Sequence, residues 1–134
     1  MSAQSKERIL VVDDERAIRE LVRRLLVSAG YDCGTAGSSA EAAELLGRQS
    51  FDVLLADLQL PGESGLDLLA RVRDRHPNTA AIVMSGVHDP QLADASRSLG
   101  ASGYLVKPFS PEELWSEVLY ALRRRNVERA EALV

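Results

Sequence analysis

Five times along the chain a short apolar run gives way to a longer segment whose apolar residues recur every three or four positions. An apolar run without polar interruption suits a strand covered on both faces, and a repeat of about 3.6 residues suits a helix with one face inward. The predicted strands are Arg8–Val12, Tyr31–Ala36, Phe51–Ala56, Thr79–Met84 and Gly103–Val106. The first predicted helix spans Glu15–Ala29, with Ile18, Leu21, Val22, Leu25 and Leu26 on its inward stripe and Gly30 as its stop. The second spans Ala40–Arg48, capped by Ser38 or Ser39, with Ala43, Leu45 and Leu46 inward. The third carries Leu66, Leu68, Leu69 and Val72 and ends near His76, before Pro77. The fourth runs from Gln91 to Leu99, capped by Asp89, opened by Pro90 and closed by Gly100. Pro111 opens the last, which places Leu114, Trp115, Val118, Leu119 and Leu122 inward.

Five strand–helix units in series predict an α/β fold: a parallel sheet with helices on both faces. At 134 residues, 46% of them apolar, the chain suits one domain with its own core. The expected organisation is a frayed start over 1–7, a single domain over 8–125, and a helical extension over 126–134. The stretch after Leu122 is mostly polar, and Arg123-Arg124-Arg125 reads as a solvated face. No apolar run approaches the roughly 18 residues of a membrane span, so no membrane partner is expected. The polar start, Met1 to Arg8, has no secretory h-region, and a lone cysteine, Cys33, suits a reducing compartment. A cytoplasmic location follows. With 16 basic against 20 acidic residues, direct nucleic-acid binding is not expected.

In open parallel sheets, ligands bind beyond the carboxyl ends of the strands, where strand order reverses. Asp13 and Asp14 follow the first strand, Asp57 the third, Ser85 and Gly86 the fourth, and Lys107 and Pro108 the fifth. Three carboxylates, a hydroxyl and an ammonium therefore meet on one edge. Unit charges about 4 Å apart repel by about 4 kcal/mol at an effective dielectric of about 20. The acids need a cation among them, or one must stay protonated. An all-oxygen set with room for water suits Mg²⁺ better than Zn²⁺. Gly-x-Gly-x-x-Gly and Gly-x-x-x-x-Gly-Lys-Ser/Thr phosphate loops are both absent. With a metal present, the set resembles a phosphoryl-transfer site: Asp57 as nucleophile, Lys107 and Ser85 holding phosphoryl oxygens.

Five fragments in order carry a family resemblance: Val11-Val12-Asp13-Asp14-Glu15; Asp57; Leu60-Pro61-Gly62 with Gly65; Met84-Ser85-Gly86; and Tyr104-Leu105-Val106-Lys107-Pro108-Phe109. They are similar to the receiver domain of bacterial two-component response regulators, over about Arg8 to Arg125. The resemblance implies a flavodoxin-like (CheY-like) sheet of order 2-1-3-4-5. It also implies that Asp57 accepts a phosphoryl group from a histidine kinase or a phosphotransfer protein. Asp14, Asp57 and the Gln59 carbonyl would then bind Mg²⁺ directly, and Asp13 through a metal-bound water. Lys107 would pair with the acyl phosphate, Ser85 would hydrogen-bond it, and Tyr104 would be the aromatic that turns inward when Ser85 moves. The Lys107–Pro108 peptide would be cis. Gln59 and Val87 stand where the family tunes hydrolysis of the phosphoryl group, and apolar Val87 implies a moderate to long life. The face built from the fourth helix, fifth strand and fifth helix would switch a downstream protein or a linked output domain. A homodimer through that face or the last helix is the further expectation.

Taken singly, each residue has a duller reading. Asp13 and Asp14 suit a helix cap, Asp57 a turn, Lys107 a solvated surface and Tyr104 simple packing. Caps alone give no reason for a lysine and a hydroxyl on the same edge. Three other functions compete. A dimerisation scaffold needing no phosphorylation has no use for a complete site. An aspartyl-phosphate phosphatase places its nucleophile after the first strand as Asp-x-Asp, unlike this chain, so a switch rather than an enzyme is expected. A flavodoxin-like FMN carrier needs a Ser/Thr/Gly-rich loop where Asp13 and Asp14 stand.

Overall fold

The computed structural model describes residues 6–133. Its strands are β1 (Arg8–Val12), β2 (Asp32–Ala36), β3 (Val53–Asp57), β4 (Ala80–Ser85) and β5 (Gly103–Val106). All pair in parallel, in the order β2-β1-β3-β4-β5. The helices are α1 (Arg16–Ser28), α2 (Ser39–Arg48), α3 (Gly65–Arg75), α4 (Pro90–Ser98) and α5 (Pro111–Ala132). The five-strand α/β fold, its order and the long final helix agree with the sequence reading. Most of the frayed start expected over 1–7 falls outside the described residues.

Alternate strand residues feed two cores. Leu10, Val12, Leu54, Ala56, Ala81 and Val83 face α2 and α3, while Ile9, Val11, Val53, Leu55, Ile82 and Met84 face α1 and α5. Burial on both faces is why β1, β3 and β4 read as unbroken apolar runs. Each fully buried Val, Leu or Ile contributes about 1.5–3 kcal/mol, so these strands dominate cohesion. Strand order reverses between β1 and β3, which opens a crevice at their carboxyl ends.

Local chemistry sets most helix starts. Ser38, Ser64 and Ser110 each accept a backbone N–H three residues on, and Glu113 closes a capping box with Ser110. Asp89 caps α4 through the Gln91 N–H. Gly30 and Gly100 take positive φ beyond α1 and α4, as stop signals require.

Several inward assignments change. Leu21 is 55% exposed and Leu119 43%, because each lies at the margin of its helix stripe, beyond the reach of the sheet. In α2 the fully buried alanine is Ala42, with Ala43 at the flank. Trp115 is half-buried and its Nε1–H donates to the Leu25 carbonyl at 3.0 Å, tying α5 to α1. Arg125 departs from the solvated run: its guanidinium is mostly buried and pairs with Asp52 at 2.5 Å. Asp52 also accepts the Arg8 N–H at 2.7 Å, so one carboxylate fastens α5 to the start of β1.

Cys33 sits half-buried on β2, at the edge of the sheet. Burial pushes its thiol up to about 11, against the opposing pull of Arg23. A raised thiol stays protonated further into the alkaline range, so at pH about 8 its thiolate fraction lies roughly a hundredfold below that of an ordinary cysteine. Iodoacetamide at that pH is expected to label unfolded chain readily and native chain hardly, as read by intact mass. Equal labelling of both would contradict this account.

Candidate functional site

Strand register brings the chemistry to one level. Val12 pairs with Ala56, so Asp13 and Asp57 are the next residues on adjoining strands. Asp57 pairs with Met84, and Ser85 with Val106, which sets Ser85 and Lys107 one step further across the sheet. The Lys107 N–H donates to the Ser85 carbonyl at 2.7 Å and locks the two together. Asp57 and Ser85 are the last residues of their strands rather than the first loop residues. Their backbones are therefore held by the ladder, and a strand-held side chain is better placed for chemistry than a loop-held one.

Asp13 is fully buried and every polar atom it has is engaged. Its N–H donates to the Ala36 carbonyl at 3.1 Å and its carbonyl accepts from Arg19 Nη1 at 2.7 Å. Its Oδ1 accepts the Glu15 N–H at 2.9 Å and its Oδ2 accepts from Lys107 Nζ at 2.7 Å. Neither aspartate caps α1 in the ordinary way, since the cap position is Glu15, without a side-chain cap bond. The duller reading of the pair is thus set aside.

Asp57 is 6% exposed, with Oδ1 accepting the Gln59 N–H at 2.7 Å and Oδ2 accepting from Lys107 Nζ at 2.5 Å. Carboxylate oxygens of Asp13, Asp14 and Asp57 lie within 4.8 Å of one another, with Asp14 open to solvent. The peptide that joins Lys107 to Pro108 is cis. Burial alone would lower the Lys107 ammonium, but its hydrogen bonds to Asp13 and Asp57 outweigh that and hold it above the ordinary lysine value. The cluster of three acids is thus offset by one cation, leaving a net negative pocket. Only oxygen donors face it, from carboxylates with an open side, which fits a hard divalent cation such as Mg²⁺.

Ser85 and Tyr104 meet through Val87. Ser85 Oγ accepts the Val87 N–H at 3.1 Å, and the Val87 carbonyl accepts from the Tyr104 hydroxyl at 2.9 Å. Tyr104 is half-buried on β5, between α4 and α5. The exposed His88 and half-buried His76 join no cluster of metal-ligating residues among the described residues.

Sequence reasoning overlooked Arg19, whose bond to the Asp13 carbonyl needs a distance no spacing reveals. It named Gly65 only as a motif position. At Gly65 an added Cβ would meet the Asp57 carbonyl and Leu58 Cα, so α3 sits directly on the end of β3 that bears Asp57.

Comparison with known families decides the matter: the profile of the response regulator receiver domain matches residues 9–119. The chain belongs to that receiver family. The receiver is 39% identical over 130 residues to the response regulator protein PilR of Pseudomonas aeruginosa, covering 97% of this chain and 29% of PilR. It is 40% identical over 105 residues to the DNA-binding transcriptional regulator NtrC of Escherichia coli, covering 78% of this chain and 22% of NtrC. The receiver thus spans less than a third of either relative. A CheY-like receiver domain structure from Methanospirillum hungatei superposes with a TM-score of 0.87 at 28% identity, covering 92% of this chain and 99% of that one. No described helix is long and apolar enough to cross a membrane.

Proposed function

We propose that this receiver accepts a phosphoryl group on Asp57 from a histidine kinase or a phosphotransfer protein and transmits the change to a partner. The observation that carries the reading is the Lys107 ammonium shared between Asp13 and Asp57, beside a third acid and level with Ser85. Asp13, Asp14, Asp57 and the Gln59 carbonyl are the residues to hold Mg²⁺. When bound, Mg²⁺ supplies positive charge to offset the phosphoryl oxygens. An Asp57 oxygen attacks phosphorus, the P–N bond of the phosphohistidine breaks, and its electrons leave on the imidazole. The Lys107 ammonium is freed from Asp57 Oδ2 to pair with the new phosphoryl group.

Ser85 Oγ turns to that group and gives up the Val87 N–H, which loosens the carbonyl holding Tyr104. Tyr104 then moves inward and the α4–β5–α5 face changes. The packing of α4 supports it as the mobile element: its one buried residue is Ser96, with Leu92, and Leu99 just past its end, only half-buried. A receiver over 8–125 and a helical extension or linker start over 126–134 fit relatives of which this chain spans less than a third, and a linked output domain would then be the downstream partner. A homodimer through the same face or α5 remains within this proposal. Beside the site, Ile18, Leu21, Leu25 and Phe109 line an apolar groove of about 240 Å³ that also touches Lys107. Its contact with Lys107, which pairs with Asp57, and its apolar character favour it as the seat of the phosphodonor protein.

Intact mass after incubation with Mg²⁺ and acetyl phosphate is expected to rise by one phosphoryl increment, absent when EDTA is added. The increment is expected to decay over minutes to hours, since Val87 is apolar and orients no water. No increment with either acetyl phosphate or beryllofluoride binding would favour the phosphorylation-free scaffold instead, and decay within seconds would remove the role given to Val87.

A further inference from the structure

Glu117, on α5, is a carboxylate that the phosphoryl-acceptor site leaves unused. It lies across β5 at Gly103, where an added Cβ would meet its Oε2 at 2.5 Å, so the missing side chain is what admits the acid. Tyr104 and Glu117 stand between two openings in the α4–β5–α5 face. One, of about 250 Å³, runs under α4 past Ser96 and Tyr120. The other, of about 400 Å³, runs along α5 past Glu112 and Glu113. Burial holds the Glu117 carboxyl above the usual range.

The charges here are unbalanced. Among the described residues Glu112, Glu113 and Glu117 form no ion pair. Arg97, on the groove wall, pairs with Asp94 at 2.5 Å, and Arg124, one turn beyond Tyr120, pairs with Glu128 at 3.2 Å. Among the described residues no cation pairs with the three acids, and Arg124, whose Nη1 donates to the Tyr120 hydroxyl at 3.4 Å, is held by Glu128 instead. A half-buried carboxylate in a groove that two tyrosines also line is the chemistry that recognises a guanidinium or ammonium: the acid offers charge-assisted hydrogen bonds and the ring faces a negative quadrupole. A nucleic acid or an acidic segment would be repelled.

We infer that the groove at Tyr104, Glu117 and Tyr120 receives an arginine or lysine side chain from a protein segment of the downstream partner. This rests on the reading of α4–β5–α5 as the output face. Because Tyr104 walls both openings, its movement reshapes the pocket that the cation enters. Phosphorylation then changes affinity for the basic segment without altering its charge complement.

The test uses the whole chain and two blocked pentapeptides, one with a central arginine between leucines and one with citrulline in its place. Backbone amide shifts should move at Gly103, Tyr104 and Glu117 with the arginine peptide, and the Glu117 carboxyl should titrate at lower pH when it is bound. Citrulline, or the E117Q variant, should weaken binding roughly tenfold. E117Q should still gain the acetyl phosphate increment, which reports that the chain is folded and its acceptor site intact. Equal binding of both peptides, unchanged binding by E117Q, or shifts centred elsewhere overturns the inference. So does self-association in sedimentation velocity that E117Q abolishes, since the cation would then come from a second copy. Arginine binding that beryllofluoride leaves unchanged would keep the groove and overturn the output reading on which its regulation rests.

Discussion

Replacing Asp57 by asparagine is expected to abolish the phosphoryl increment completely while leaving the fold in place. The carboxylate oxygen that we propose attacks phosphorus becomes part of an amide, which is no nucleophile at neutral pH. The packing consequences are small by comparison. An asparagine carbonyl can still accept the Gln59 N–H that now meets Oδ1 at 2.7 Å. The amide N–H₂ would face the Lys107 ammonium, a donor against a donor, in place of the 2.5 Å ion pair. Against that loss, one of three crowded acids disappears, and its repulsion with it. These terms oppose each other, so net stability should shift by about 1 kcal/mol or less. Intact mass with acetyl phosphate and Mg²⁺ reads the first effect and thermal unfolding the second. An increment retained by Asp57→Asn would move the acceptor to Asp13 or Asp14. Asp13 is fully buried and pinned by Lys107, so exposed Asp14 would be the alternative acceptor to test next.

The parts legible in the sequence were those written in local pattern. β1, β3 and β4 announce themselves because both faces are covered, and Ser38 and Asp89 lie where caps belong. The gathering of Asp13, Asp57, Ser85 and Lys107 was also legible, since parallel strands must present their carboxyl ends on one edge. What stayed hidden depends on distances between elements. Leu21 fits the helical repeat as well as Val22 does, yet only the second meets the sheet. Arg125 looks like its neighbours Arg123 and Arg124 until Asp52, 73 residues earlier in the chain, is brought beneath it. Arg19 and Glu117 belong to the same class: a charged residue on a helix whose partner, or lack of one, is set by what the fold lays opposite.

Gly65→Ala carries the largest structural effect expected of any small substitution here. Gly65 is the first residue of α3, and its N–H donates to the Leu58 carbonyl at 3.0 Å, so the helix starts against the strand that bears Asp57. An alanine Cβ would stand 2.3 Å from the Asp57 carbonyl oxygen, 2.6 Å from Leu58 Cα and 3.0 Å from the Asp57 carbonyl carbon. All three are backbone atoms, and no rotamer change relieves them. Either α3 lifts, exposing Leu68 and Leu69 from the core, or the end of β3 moves and takes the acceptor with it. Overpacking of this kind costs about 3 kcal/mol, or a fall in melting temperature of roughly 10 °C for a domain of this size. Phosphorylation by acetyl phosphate should slow as well, because Asp57 is displaced relative to Lys107. Gly47→Ala is the matched control: Gly47 lies on α2 with nothing within 4 Å of an added Cβ, so alanine there should stabilise by about 0.5–1 kcal/mol. The two variants make the same chemical change and should move the melting temperature in opposite directions. If Gly65→Ala melts with the wild type, the contact between α3 and the acceptor strand is soft, and the rigidity attributed to Asp57 must come from the ladder and Lys107 alone.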